Sequence, residues 1–329
     1  MSGSIKAIVY QTHGKPEEVL RLEEQPIPEI GPDEALVRML AAPINPADLN
    51  QIEGKYPIRR SLPATPGFEG AGMVEKIGAS VRQLSVGTQV ILPHTVGAWR
   101  EAAAVKAEEL VAVPSEIAPE QAAMLKINPL TAWRMLHDFV RLEPGEWIIQ
   151  NAANSGVGRA VIAMCRELGL RTLNLVRREE LIDELRKEGG DVVLLDNDEA
   201  REAAAEVTKQ AAIRLGINQV GGDSALRLAK IVAPEAVIVT IGAMSLQPLR
   251  LPNGLLIFKN LHFTGFWVNK WYDQASPAAR EEAFDRIFEL AKRGLLQTKI
   301  EHTYSLTDFA DAVARAGQGA REGKIIFKM

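Results

Sequence analysis

Cysteine is almost missing from this chain, with Cys165 alone among 329 residues. A single thiol excludes an intrachain disulfide and any four-cysteine structural zinc site, and it fits a reducing compartment. Cys165 falls within a helical pattern with no histidine or second cysteine near it in sequence, which reads as a buried structural thiol. Long apolar runs are missing too. None reaches the roughly 18 residues of a membrane-spanning helix, so no membrane partner is expected. Nor is there surplus positive charge: a net charge of −4 and a pI near 5.9 leave no extended basic surface for nucleic acid. The five histidines, His13, His94, His137, His262 and His302, lack metal-ligand spacing. Met1 to Gly14 shows no charged region followed by an apolar stretch, and the expectation is a cytosolic, that is cytoplasmic, protein.

What is present is ordinary globular material, 47% hydrophobic and 24% charged, in a chain long enough for two domains. The first hundred or so residues carry short alternating apolar runs broken by Pro and Gly. Ile5 to Tyr10, Ala35 to Ala41, Gly70 to Ile77 and Gln89 to Leu92 read as strands of a compact β-rich domain. From Pro119 helices and strands alternate. The pattern predicts strands at Trp147, Thr172, Val192, Gln219, Val237 and Leu261, and helices over 158–168, 180–188, 200–214 and 277–294. That alternation predicts an α/β fold with a doubly wound parallel sheet of Rossmann type. A short tail ending in Lys324-Ile325-Ile326-Phe327 is expected to return to the first domain.

The run from Trp147 to Arg178 is the most specific. A buried strand, Trp147 to Gln150, leads into Asn151-Ala152-Ala153-Asn154-Ser155-Gly156-Val157-Gly158, a turn of residues small enough for a phosphate to approach backbone N–H groups. A helix starts near Val157, and its dipole and unpaired amides favour an anion. The next strand, Thr172 to Val176, ends where the ribose of a dinucleotide would lie. An acid there selects NAD; Arg177 and Arg178 suit the 2′-phosphate of NADP.

Four segments carry a family resemblance: NPADLNQIEGKYP from Asn45, NPLTAWRML from Asn128, QNAANSGVGRAV from Gln150 and NGLLIFKNLHFTGFW from Asn253. With Pro66-Gly67-Phe68-Glu69-Gly70-Ala71-Gly72, they resemble the medium-chain dehydrogenase/reductase superfamily over essentially the whole length. The finer likeness is to its zinc-free 2-enoyl thioester reductases, with the quinone oxidoreductases as a neighbouring branch. The resemblance implies a GroES-like catalytic domain over 1–122 and 267–329, with a Rossmann NADP-binding domain over 123–266. It implies NADPH as cofactor, an acyl thioester of CoA or acyl carrier protein as substrate, and a homodimer joined through sheet edges. The family's proton-donating tyrosine falls on Tyr56. Its cofactor positions fall on Asn128, on Asn154, Ser155, Gly156 and Val157, on Arg177 and Arg178, on Gly242, Ala243 and Met244, on Phe266, Trp267 and Val268, and on Lys324. Zinc members carry a cysteine and a histidine where this chain has Asn45 and Phe68, so no metal is expected. The family often reads Arg-Asp-Arg after its second strand, and Glu179 here departs from that pattern.

Reduction of a C=C bond conjugated to a thioester sends hydride to Cβ and negative charge to the carbonyl oxygen, and ends with a proton on Cα. A phenol, with an ordinary pKa of about 10, can hydrogen-bond the developing enolate and donate that proton. Tyr56 is the candidate because Gly54 and Pro57 mark a loop, whereas Tyr10, Tyr272 and Tyr304 lack that context. Asn45 is a candidate to orient Tyr56 or the substrate carbonyl, or else only shapes a turn. Trp267 reads as a wall for nicotinamide or acyl chain, or as core. Arg59 and Arg60 are candidates to attract the phosphates of CoA or of a carrier-protein arm. Two other readings stay open, a zinc-free quinone or enone reductase and a non-enzymatic NADPH-binding protein.

Overall fold

The computed structural model describes residues 3–57, 59–319 and 321–329. The chain separates into two compact units, Met1–Ile127 with Phe288–Met329, and Asn128–Ile287.

In the second unit a six-stranded sheet runs in the order Val192–Leu195, Arg171–Val176, Trp147–Gln150, Ile213–Asn218, Val237–Thr240, His262–Gly265. Every neighbouring pair is parallel. The order explains the composition of the strands. Parallel strands covered by helices on both faces must be apolar almost throughout, and Ile148, Ile149, Leu173, Leu175, Leu215, Ile217, Ile238 and Val239 are all buried. From Trp147–Gln150 the chain winds outward on one side and then resumes on the other at Ile213–Asn218. The strand order therefore reverses at those two strands, which is where such sheets bind ligands at their carboxyl ends. The helix predicted over 200–214 ends at Val207. Lys209 and Gln210, at φ of 53° and 58°, take the left-handed conformation that stops a helix. The strand expected at Gln219 is accordingly Ile213–Asn218, and Gln219 begins the loop beyond it.

The first unit is built around the strand Glu34–Pro43, which pairs antiparallel with Ala71–Ile77, Ala102–Lys106 and Lys324–Lys328. Its core gathers Tyr10, Val37, Met39, Ile44, Val90, Trp99 and Phe327. Trp99 and Phe327 meet edge to face at 5.2 Å and 67°. The last strand matters most for the site. Ile326 lies opposite Pro43, and Ile44 N–H donates to the Ile325 carbonyl at 3.0 Å, so Lys324 is delivered beside Asn45. A helix follows at once over Pro46–Ile52, with proline at its first position, where no N–H is needed.

Candidate active site

The phosphate turn of the second unit is held by side-chain amides. Ser155 caps the helix Gly156–Glu167, its Oγ accepting from Gly158 N–H at 3.0 Å while donating to Gln219 Oε1 at 2.8 Å. Such a cap contributes about 1 kcal/mol. Gln219 Nε2 donates to the Asn151 carbonyl at 3.0 Å, and Gln219 N–H to Asn151 Oδ1 at 2.7 Å. A Cβ on Gly158 would run into the Ala153 carbonyl, and one on Gly156 into the Asn128 amide. Glycine is thus required at 158, where the obstacle is backbone, while a side chain at 156 would displace the Asn128 amide that lies against the turn. The first-turn amides of Gly156 and Val157 precede any intrahelical acceptor and face outward along the dipole, the arrangement that takes a phosphate. The Asn154 carbonyl accepts from Arg159 Nε at 3.2 Å.

Gly242–Met244 converge on the same loop. Met244 N–H donates to the Gln219 carbonyl at 3.1 Å, and a Cβ on Gly242 would lie 2.9 Å from that oxygen. Phe266 N–H donates to the Thr240 carbonyl at 3.1 Å, and its ring meets Phe139 edge to face at 6.0 Å. Trp267 is half-buried and Val268 buried at the start of the helix Val268–Gln274. After the strand Arg171–Val176, Arg177 is exposed and has no ion pair among the described residues. Arg178 pairs with Glu180 at 3.1 Å, a surface contact of about 0–1 kcal/mol.

In the first unit, Lys55 and Tyr56 N–H groups both donate to the Asn50 carbonyl, at 2.8 and 3.1 Å. The turn is completed by Gly54 at φ 73°. The Tyr56 ring is half-buried and stands 5.1 Å from Phe68. Buried ionisable groups surround Asn45 and hold Phe68. Asp48 accepts from Asn45 N–H at 2.7 Å and from Phe68 N–H at 2.8 Å. Burial pushes its carboxyl up to about 7 against those two bonds. Asn45 Nδ2 donates to Glu69 Oε1 at 2.8 Å, and Asn45 Oδ1 accepts from Lys324 Nζ. Glu69 Oε2 accepts from Ile127 N–H at 3.0 Å. Burial raises the Glu69 carboxyl and lowers the Lys324 ammonium from their ordinary values, and the attraction between the two opposes both shifts. Asn45 and Lys324, read separately from the sequence, thus form one hydrogen-bonded chain with Glu69.

Arg60 departs from the expectation of a phosphate-attracting surface pair. Its guanidinium turns inward to Gln51 Oε1 at 3.0 Å and to the Thr95 and His94 carbonyls at 2.9 and 2.6 Å, leaving only Arg59 exposed. His94 is no proton source near neutral pH, since burial, with Lys126 and Arg60 nearby, pushes it down to about 4. Burial raises the Cys165 thiol and keeps it protonated.

Two family profiles match, an alcohol dehydrogenase GroES-like domain over residues 31–115 and a zinc-binding dehydrogenase over residues 188–327. A mitochondrial enoyl-[acyl-carrier-protein] reductase of Caenorhabditis elegans is 39% identical over 96% of this chain and 92% of its own. The chain belongs to the medium-chain dehydrogenase/reductase superfamily. Among solved members of this superfamily, a Bacillus thuringiensis protein provisionally named NADPH:quinone reductase superposes with a TM-score of 0.93 at 30% identity, covering 100% of both chains. Candida tropicalis Etr1p, in a complex with NADP and crotonyl-CoA, superposes with a TM-score of 0.91 at 27% identity, covering 99% of this chain and all of that one.

The zinc in the second profile's description does not fit these residues. Phe68 offers only carbon, the Asn45 amide is engaged by Glu69 and Lys324, and the described residues gather no group of three His, Cys, Asp or Glu side chains able to hold a metal. NADP(H), the cofactor of the superfamily's reductases, does fit, because the turn at 154–158 has the glycine clearances and capped helix start that a pyrophosphate needs. The cytosolic expectation does not stand, since the enoyl-[acyl-carrier-protein] reductases that this chain resembles are named mitochondrial. A lone cysteine reports a reducing environment, and acidic balance reports charge; neither separates one reducing compartment from another.

Sequence reasoning missed Asp48, Glu69, Asn151 and Gln219 as organisers. For Glu69 a signal existed, a lone acid inside the small-residue run Gly67 to Gly72. For Gln219 there was none, because its partners lie 64 and 68 residues away.

Proposed function

We propose that this protein is an NADPH-dependent 2-enoyl thioester reductase in which Tyr56 donates the proton. The observation that carries the reading is the full-length likeness to enoyl-[acyl-carrier-protein] reductases, 39% identity over 96% of the chain. The cofactor role falls to the unit Asn128–Ile287 and the catalytic role to the unit of Met1–Ile127 with Phe288–Met329. NADPH, when bound, supplies the hydride that the substrate receives at Cβ. The amides of Gly156 and Val157 take the pyrophosphate, and Asn128, Gly242–Met244 and Phe266–Val268 line the cofactor further along. Arg177 takes the 2′-phosphate, Arg178 being partly occupied by Glu180. Electrons released from the C=C bond move to the thioester oxygen. Tyr56 O–H stabilises the enolate and then gives its proton to Cα as the C=O re-forms and the enolate pair makes the Cα–H bond, a contribution of roughly 10²–10⁴-fold; the tyrosinate left is reprotonated from water. Asn45 is linked to the ring packed on Tyr56 through Asp48, which holds the Phe68 N–H; Lys324, expected at the cofactor, is held by Asn45, and Trp267 is the candidate wall for nicotinamide or acyl chain.

The test is NADPH oxidation with crotonyl-CoA and longer trans-2-enoyl-CoA substrates, comparing wild type with Tyr56→Phe beside a quinone control. Enoyl turnover is expected to fall at least about a hundredfold in the variant. Equal rates in the two proteins, with quinone the better substrate of both, would reverse the assignment towards the quinone reductase branch.

A second copy of this chain is the proposed partner. The strand His262–Gly265 ends its sheet with one edge unpaired among the described residues, and the preceding helix exposes Ile257 at 69% and Phe258 at 86%. An edge strand beside such an apolar face is suited to pairing. Sedimentation showing only monomer at micromolar concentration would remove this part of the proposal.

A further inference from the structure

We propose that Arg60 is a positioning residue for Tyr56, acting through the ring of Phe68. The proposal rests on Tyr56 as proton donor. Phe68 occupies the position at which zinc members carry a histidine, and in this chain its ring touches the Tyr56 ring at 5.1 Å and lies 5.6 Å from the Arg60 guanidinium carbon. That separation is within cation–π reach. Phe68 is itself fixed, 3% exposed and held at its backbone N–H by Asp48. Arg60 is only four residues beyond Tyr56, so its anchorage limits where the tyrosine loop can go. The anchorage uses the whole guanidinium. Nε donates to Gln51 Oε1 at 3.0 Å, Nη1 to the Thr95 carbonyl at 2.9 Å, and Nη2 to the His94 carbonyl at 2.6 Å and the Gly67 carbonyl at 3.5 Å. One planar fork thus ties the end of the helix Pro46–Ile52, the 94–95 loop and the residue before Phe68. Lysine keeps the charge but lacks the fork. A phenol displaced by about 1 Å from the developing enolate loses on the order of a hundredfold in rate.

Arg60→Lys and Phe68→Leu, each made in the wild type and in Tyr56→Phe, separate positioning from simple stability. With crotonyl-CoA, Arg60→Lys is expected to lower kcat about 10–100-fold in the wild type and less than about threefold in Tyr56→Phe, with KM for NADPH within about twofold. The same fold-loss in both backgrounds overturns the proposal. So does a rise in KM for crotonyl-CoA at unchanged kcat, which would return Arg60 to the CoA phosphates. Should Arg60→Lys not fold, Phe68→Leu must show the same non-additivity, and additivity there is equally fatal. A full rate in Tyr56→Phe alone removes the proton-donor reading and this inference with it, an outcome distinct from additivity with an impaired Tyr56→Phe.

Discussion

The two units organise their candidate site residues with opposite chemistry. In the unit bearing Tyr56 the buried organisers are ionisable, with Asp48 and Glu69 buried and Lys324 reaching Asn45. In the unit bearing the phosphate turn they are mostly neutral amides, Gln150, Asn151, Asn174, Asn218 and Gln219, hydrogen-bonded in pairs across the strand ends, and the Asp196 carboxylate joins them only through Ser224 and is neutralised by Arg227. The physical demands differ in the same way. An anion bound by backbone N–H groups gains from an undiluted helix dipole, and a buried carboxylate nearby would oppose it. If Tyr56 is the proton donor proposed above, it needs a rigid support to meet developing negative charge, and buried charge paired inside low dielectric holds its partners firmly while tolerating little change.

This contrast is open to breakage. Glu69→Ala is expected to cost about 3–5 kcal/mol in urea unfolding, because Lys324 and the Asn45 amide lose the acid that answers them. A loss below about 1 kcal/mol would mean that the charged network is not a strong support. The next effect is one of pH. Asp48 is raised from 3.8 to about 7 in the folded state, so between those values the folded chain holds a proton that the unfolded chain has released. Its contribution to stability is therefore full below about pH 4 and is lost as pH rises through about 7, on the order of 2–4 kcal/mol across the window. Asp48→Asn should flatten that slope relative to wild type; an unchanged slope would assign the pH dependence to other groups. The smallest effect is expected on the amide side. Gln219→Ala should cost about 1–2 kcal/mol by the same unfolding assay, with no dependence on pH from 4 to 8, and weaken NADPH about tenfold in a fluorescence titration. Should Gln219→Ala destabilise as much as Glu69→Ala, the distinction between the units collapses.

Much of the candidate phosphate site was legible because it is local. Strand, small-residue turn, capped helix and arginine pair all lie between Trp147 and Arg178, and each is coded by spacing and residue size within a few positions. The Tyr56 loop was legible for a similar reason, Gly54 and Pro57 enclosing it. Helix ends were less so. Nothing in the apolar pattern of 200–214 announced that Lys209 and Gln210 adopt positive φ, since that conformation is chosen by where the next strand must enter the sheet. The inward turn of Arg60 was invisible for the same kind of reason. A paired arginine in a polar loop looks solvated until the carbonyls of His94 and Thr95, more than thirty residues on, are seen to surround it.

By itself the sequence determined the α/β class, the small-residue turn before a helix, the arginine pair after the next strand and the loop that carries Tyr56, all features that follow from neighbours along the chain. Only the tertiary structure decided what supports them. Lys324 meets Asn45 across 279 residues because the last strand pairs antiparallel with Glu34–Pro43. Gln219 reaches Ser155 because Ile213–Asn218 pairs parallel with Trp147–Gln150. Such meetings are set by strand register, which depends on how whole faces bury their apolar side chains and not on any short motif.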